Sequence, residues 1–104
     1  MIVKIYQITP ETDARDLMFM NLDFALRHGG VDPSEYRLAF EGDVPARTLD
    51  DVYVIFNDYA QRPAGYCGRS LSVSDVVVIE GRAYFCDSFG WSRLPDFQEG
   101  GAQG

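Results

Sequence analysis

Cysteine and histidine are scarce in this 104-residue chain, with two of the first, Cys67 and Cys86, and one of the second, His28. No CxxC pair occurs, so a four-ligand zinc site of the usual Cys/His type cannot be assembled from one copy. In a reducing compartment two isolated cysteines read as buried thiols. Long apolar runs are missing too: nothing approaches the roughly 20 residues that span a bilayer. The N-terminus, Met1-Ile2-Val3-Lys4-Ile5-Tyr6, is too short and too alternating for the apolar region of a signal peptide. A cytoplasmic protein with no membrane partner is expected. Basic groups are few, nine against sixteen acids, for a net charge of −7. That balance disfavours direct nucleic-acid binding, which rests on Lys and Arg neutralising phosphates.

What is present is enough for one core. Apolar residues make up 46% of the chain and aromatics 13%, and a charged share of 24% is too ordinary for disorder. A chain of this size buries about two thirds of its unfolded surface without metal or disulfide staples. One domain is expected over residues 1–97, followed by a loose polar tail, 98–104, with nothing to bury. The negative charge is uneven. Residues 1–58 hold five basic groups against eleven acids, net −6, and residues 59–104 four against five, net −1. An acidic half repels phosphate backbones and attracts basic protein surfaces, including those of nucleic-acid enzymes.

Local patterning gives four or five strands and two helices. Ile2 to Ile8 is a mostly apolar strand ended by Thr9-Pro10. Asp13 to His28 carries apolar residues at helical spacing, with Gly29-Gly30 as the stop. Within it, Leu17-Met18-Phe19-Met20 also suits a short strand before a shorter helix. Tyr36, Leu38 and Phe40 alternate with Arg37, Ala39 and Glu41, as in a half-exposed strand. Thr48 is placed to cap a helix through Phe56, with Asp51 in the capping-box position. The β-branched Val52-Tyr53-Val54-Ile55 also suits a strand, but cap and periodicity favour helix. Asn57 to Gly68 is a loop. Asp75 to Glu80 and Ala83 to Asp87 form a hairpin at Glu80-Gly81-Arg82, and Trp91 to Phe97 adds a closing strand. This order predicts a small α+β domain with an antiparallel sheet.

Residues able to carry chemistry are sparse. In Ser70-Leu71-Ser72-Val73-Ser74-Asp75 a nucleophilic serine would need a base and a group orienting it, and no motif ties His28 to this stretch. Short hydroxyls and carboxylates before a strand ordinarily bond local backbone, so the segment reads as the entry to a hairpin. Asp87-Ser88 has the same explanation. Cys67 beside Arg69 is a weak case for a thiolate, and Asp50-Asp51 or Glu41 with Asp43 a weak case for a hard cation. Gly65-Tyr66-Cys67-Gly68 fits a bare GxxG without the helices that a KH clamp needs, and Tyr84 and Trp91 read as core or hairpin aromatics. No metal and no cofactor is implied.

Three stretches in order, "RDLMFMNLDFALRHGGVDPSEYRLAFEG", "LDDVYVIFN" and "GRSLSVSDVVVIEGRAYFCDSFGW", resemble the YodL-like domain. That family typically shows an R-D-x-x-F-M-N core, an F-N before a variable loop, a G-R/H-S-L-S-V-S-D-V-V stretch and a D-S-F-G-F end. The likeness covers most of Arg15 to Phe97, with Trp91 in place of the family's usual Phe. It implies a domain of integrative and conjugative elements in gut Firmicutes, alone or fused into larger proteins, often near anti-restriction genes. It brings no catalytic residues, and Ser70 through Asp75 carry over only as a family hallmark. The expected function is therefore a non-enzymatic inhibitor or accessory protein of a mobile element. Glu41, Asp43, Asp50, Asp51 and Asp58 would turn toward a basic protein partner, such as a defence nuclease. The alternative is an adaptor that binds through apolar surface and has no defence target.

Overall fold

The N-terminal strand β1 (Ile2–Ile8) is apolar on both faces, and Val3, Ile5, Tyr6, Gln7 and Ile8 are all buried. A strand buried on both sides belongs inside a sheet with cover above and below. The computed structural model, which describes residues 1–99, places it there. β1 pairs with β2 (Tyr36–Asp43) on one side and β3 (Val76–Ile79) on the other; β4 (Arg82–Cys86) and β5 (Trp91–Arg93) follow. The order is β2-β1-β3-β4-β5, and every neighbour is antiparallel. Two α-helices among the described residues, α1 (Leu22–Arg27) and α2 (Leu49–Asn57), complete an α+β domain. No helix among them is long and apolar enough to cross a membrane.

The sheet separates two cores. Tyr6, Ile8, Tyr36, Val76, Val78 and Phe85 pack with Leu17 and with Ala25 of α1, and Leu94 and Phe97 close the same side. Val3, Ile5 and Val77 pack on the other face against Val52, Ile55 and Phe56 of α2, with Leu71. Each fully buried side chain of this size contributes roughly 1.5–3 kcal/mol. α2 forms as its pattern predicts. The Thr48 hydroxyl accepts the Asp51 N–H, and apolar spacing overrides the β-branched run. The Asp51 carboxylate accepts the N–H of Arg47, one residue before the cap, so the reciprocal half of the box is displaced.

The helix expected over Asp13–His28 is present only as Leu22–Arg27. Asp13 accepts the N–H groups of Leu17 and Met18, and Asp16 and Phe19 take positive φ, which breaks both a helix and a Leu17–Met20 strand. Asn21 then caps the short helix through the Phe24 N–H, and Gly29 and Gly30 end it at positive φ. In β2 the register slips between Ile5 and Tyr6, which face Phe40 and Leu38, so Ala39 is a surplus residue. Tyr36 packs in the α1-side core while Phe40 packs on the α2 side, where simple alternation had put both on one face. The hairpin turns at Glu80-Gly81, both at positive φ, as a two-residue primed turn requires. The closing strand stops at Arg93. Phe97 then lies against Tyr6 and Tyr36, and Glu99, assigned to the loose tail, accepts from Lys4 and Tyr6; residues 100–104 fall outside the described residues.

Candidate functional site

The serine segment leads into the open end of the β3–β4 hairpin, where Ser74 N–H bonds Cys86 O and Cys86 N–H bonds Asp75 O. Its polar groups are spent on the fold. The Ser72 hydroxyl donates to Ser70 O, Ser70 Oγ accepts from Arg62, and Ser74 Oγ accepts the Phe19 N–H. Ser74 sits at φ 85°, and its carbonyl accepts the buried Tyr36 hydroxyl at 2.7 Å. Leu71 is buried in the α2-side core, its carbonyl held by Asn57, and Val73 is half-buried.

Asp75 is the centre of this arrangement and is 0% exposed. Its carboxylate accepts from Arg69 Nη2 at 2.7 Å, from the Ser72 N–H at 2.8 Å and from Gln7 Nε2 at 3.0 Å. Arg69 also reaches Ile8 O, and the Tyr66 hydroxyl donates to Arg69 O. Burial pushes the Asp75 carboxyl up to about 7 against the pull of Arg69, Ser72 and Gln7. The same burial, with Asp75 near, pushes the Tyr66 hydroxyl up to about 12. Gly68 has no room for a side chain, because a Cβ would run into Gln7 Oε1 and the Tyr66 ring.

The five acids expected to meet a partner are not gathered into one surface. Glu41 and Asp43 pair with Lys4 and Ile2 in register, on the α1 side of the sheet, and Asp43 is bonded to the N-terminal ammonium. Asp50 and Asp51 lie in the first turn of α2, on the other side. Asp58 follows the far end of that nine-residue helix, about 13 Å away at 1.5 Å per residue. Gln61 and the Ala60 N–H bond the Asp58 carboxyl and hold it below the usual carboxylate range.

One of these acids does border a groove. Asp50, Tyr53, Val73, Asp87 and Trp91 line a depression of about 210 Å³ between α2 and the β4–β5 turn. Trp91 Nε1 donates to Asp50 Oδ1 at 3.1 Å. Asp87 is fixed by the N–H groups of Leu22 and Ser88 and by the Ser92 hydroxyl. Phe89, at the tip of the turn, is 97% exposed. The sequence hid this site because Trp91 and Asp87-Ser88 have ordinary hairpin roles; the signal was an aromatic at a turn tip, Ser88-Phe89-Gly90.

The remaining candidates are dispersed. His28 ends α1, its ring stacked on Phe24 and its Nδ1 2.8 Å from Phe24 O. Cys86 is buried and its thiol is pushed up to about 12 by that burial, whereas Cys67, expected to be buried, is exposed in the loop. Among the described residues no group of three or more His, Cys, Asp or Glu side chains is placed to hold a metal.

A family model described as the YodL-like domain matches residues 2–97. The chain belongs to that family. No curated protein and no solved structure matches it. In this YodL-like domain the "RDLMFMN" and "GRSLSVSD" stretches meet in space. The Phe19 N–H bonds Ser74 Oγ, and the Arg69 guanidinium lies 4.8 Å from the Phe19 ring centre. "RDLMFMN" also begins with an anchor: Arg15 pairs with Glu35 and donates to the carbonyls of His28 and Gly30, tying the loop to the end of α1.

Proposed function

We propose that this YodL-like domain works without catalysis, as a protein-binding inhibitor or accessory protein of a mobile element, and that its working surface is the groove between α2 and the β4–β5 turn. The observation that carries the reading is a groove walled by Trp91 and the exposed Tyr53, with the exposed Phe89 in the same β4–β5 turn. Exposed aromatic rings of this kind are the side chains that anchor protein interfaces. Asp50 gives this surface negative charge, so its complement is basic. A basic nucleic-acid-binding effector, such as a restriction or CRISPR nuclease, fits that description, and with a net charge of −7 the domain itself is a poor ligand for nucleic acid.

Capture of defence nucleases at two ionic strengths tests the reading. Capture at low salt that weakens with salt and is lost in Phe89→Ser is expected; no capture at low salt refutes it. Tyr53 and Val54, 42% and 54% exposed on α2, favour a second reading, an adaptor that binds through apolar contact. Binding of that kind would be insensitive to salt and would survive Asp50→Lys.

A further inference from the structure

We propose, building on the protein-binding reading above, that the outer edge of β5 takes one extended strand of the partner protein, which continues the antiparallel sheet. β5 ends the order β2-β1-β3-β4-β5, so its outer side has no neighbouring strand among the described residues. The Asp87 N–H bonds Gly90 O and the Leu94 N–H bonds Ala83 O, so Gly90, Ser92 and Leu94 turn their backbone groups toward β4. By the same alternation the N–H and C=O groups of Trp91 and Arg93 point outward. Pro95, next in that series, has no N–H, which limits the open edge to these two residues. All of β5 keeps exposed surface.

A groove lies on each side of this edge, as strand addition needs for alternate side chains. On the α1 side a groove of about 320 Å³, lined by Leu22, Leu26, Val31 and Leu94, is bordered by Arg93. On the α2 side the groove of about 210 Å³ is bordered by Trp91. Ser92 faces the α1 side with its neighbour Phe85, so the strand residue opposite it meets apolar walls and is apolar. Residues opposite Trp91 and Arg93 point to the α2 side, where the indole bonds Asp50. Arg93 lies over the Tyr84 ring, 5.8 Å from its centre, and forms no ion pair among the described residues. Its cross-strand neighbour is therefore acidic, and that of Trp91 is β-branched or aromatic.

The probe is the capped peptide Lys-Thr-Glu-Leu-Val-Thr-Lys, titrated into the whole protein. In antiparallel sense it sets Glu, Leu and Val opposite Arg93, Ser92 and Trp91. Trp91, the one tryptophan of the chain, reports binding by its emission, and amide exchange reports the edge. Saturation at roughly millimolar peptide is expected, with slowed exchange of the Trp91 and Arg93 N–H groups. N-methylation of the peptide's Val removes a donor aimed at β5 and should weaken binding about tenfold. N-methylation of its Leu, whose N–H points away, should change binding less than about twofold. Arg93→Gln keeps the backbone and removes the charge, and should weaken binding about threefold. No saturation, equal loss with both methylated peptides, or slowed exchange on β2 in place of β5 would overturn the strand site. Slow exchange at Trp91 and Arg93 without peptide, in a protein that sediments as a dimer, gives the edge to a second copy and overturns it too. A silent peptide titration with capture that still depends on Phe89 removes the strand site and leaves the binding surface standing. Peptide binding with no captured protein supports the strand site and removes the proposed inhibitor.

Discussion

Asp75 and Asp50 are the same residue type, and their surroundings differ in every respect that sets a carboxylate's behaviour. Asp75 has no exposed surface and accepts from Arg69, Gln7 and the Ser72 backbone. Asp50, in the first turn of α2, is exposed and accepts from Trp91. Around Asp75 both carboxylate oxygens are met by donors of the same chain, although the Arg69 Nε–H is buried without a partner, so the polar density of the serine segment is internal structure. Around Asp50 the carboxylate, bonded to Trp91, and the neighbouring Tyr53 ring stay open to solvent. The lesson is that the part of this sequence richest in reactive residue types is the part least available to a substrate or partner.

The sharpest way to break the comparison is Asp75→Ala. It strands Arg69, Gln7 and the Ser72 N–H and should cost about 2–4 kcal/mol in urea unfolding, with the loop around Gly68 losing hydrogen-exchange protection. Next in size is a pH effect. With its carboxyl raised to about 7, Asp75 keeps a proton in the folded protein that the unfolded chain, with a carboxyl near 4, has released. Its contribution to stability is therefore full below about pH 4 and is lost as pH rises to about 7, a change of roughly 2–4 kcal/mol. Urea midpoints across that window should fall in the native protein and stay flatter in Asp75→Asn. Gly68→Ala drives a methyl into Gln7 and Tyr66 and should cost about 1–3 kcal/mol by the same measurement. Phe89→Ser lies at the other extreme, with stability within about 0.5 kcal/mol of the native protein and partner capture abolished.

Much of the fold was legible in the sequence because short-range chemistry fixes it. Thr48 caps α2, Glu80-Gly81 turns the hairpin, and the mostly apolar run Ile2–Ile8 forms a strand. The N-terminal half of the Asp13–His28 segment was not legible, since Phe19 is held at positive φ with its N–H on Ser74, 55 residues away in the chain. Helical spacing loses there to a long-range bond that no local window contains. The bulge at Ala39 was hidden for a similar reason, because it is defined by the register with β1 and not by β2 alone. For the candidate site, the acids were visible as types but not as positions. Only the pairing of β2 with β1 shows that Glu41 and Asp43 are on the side away from Asp50 and Asp51.

The surplus residue in β2 also bears on how this domain keeps company with copies of itself. β2 is the outermost strand, eight residues long, and an outer strand of that length is an open invitation for another chain to add to the sheet. Ala39 spoils the spacing midway along it, and Arg37 folds back onto the carbonyls of Ser34 and Tyr36 at one end. A single extra alanine thus acts as a guard against polymerisation, one that holds at high salt, where the repulsion between acidic molecules has faded.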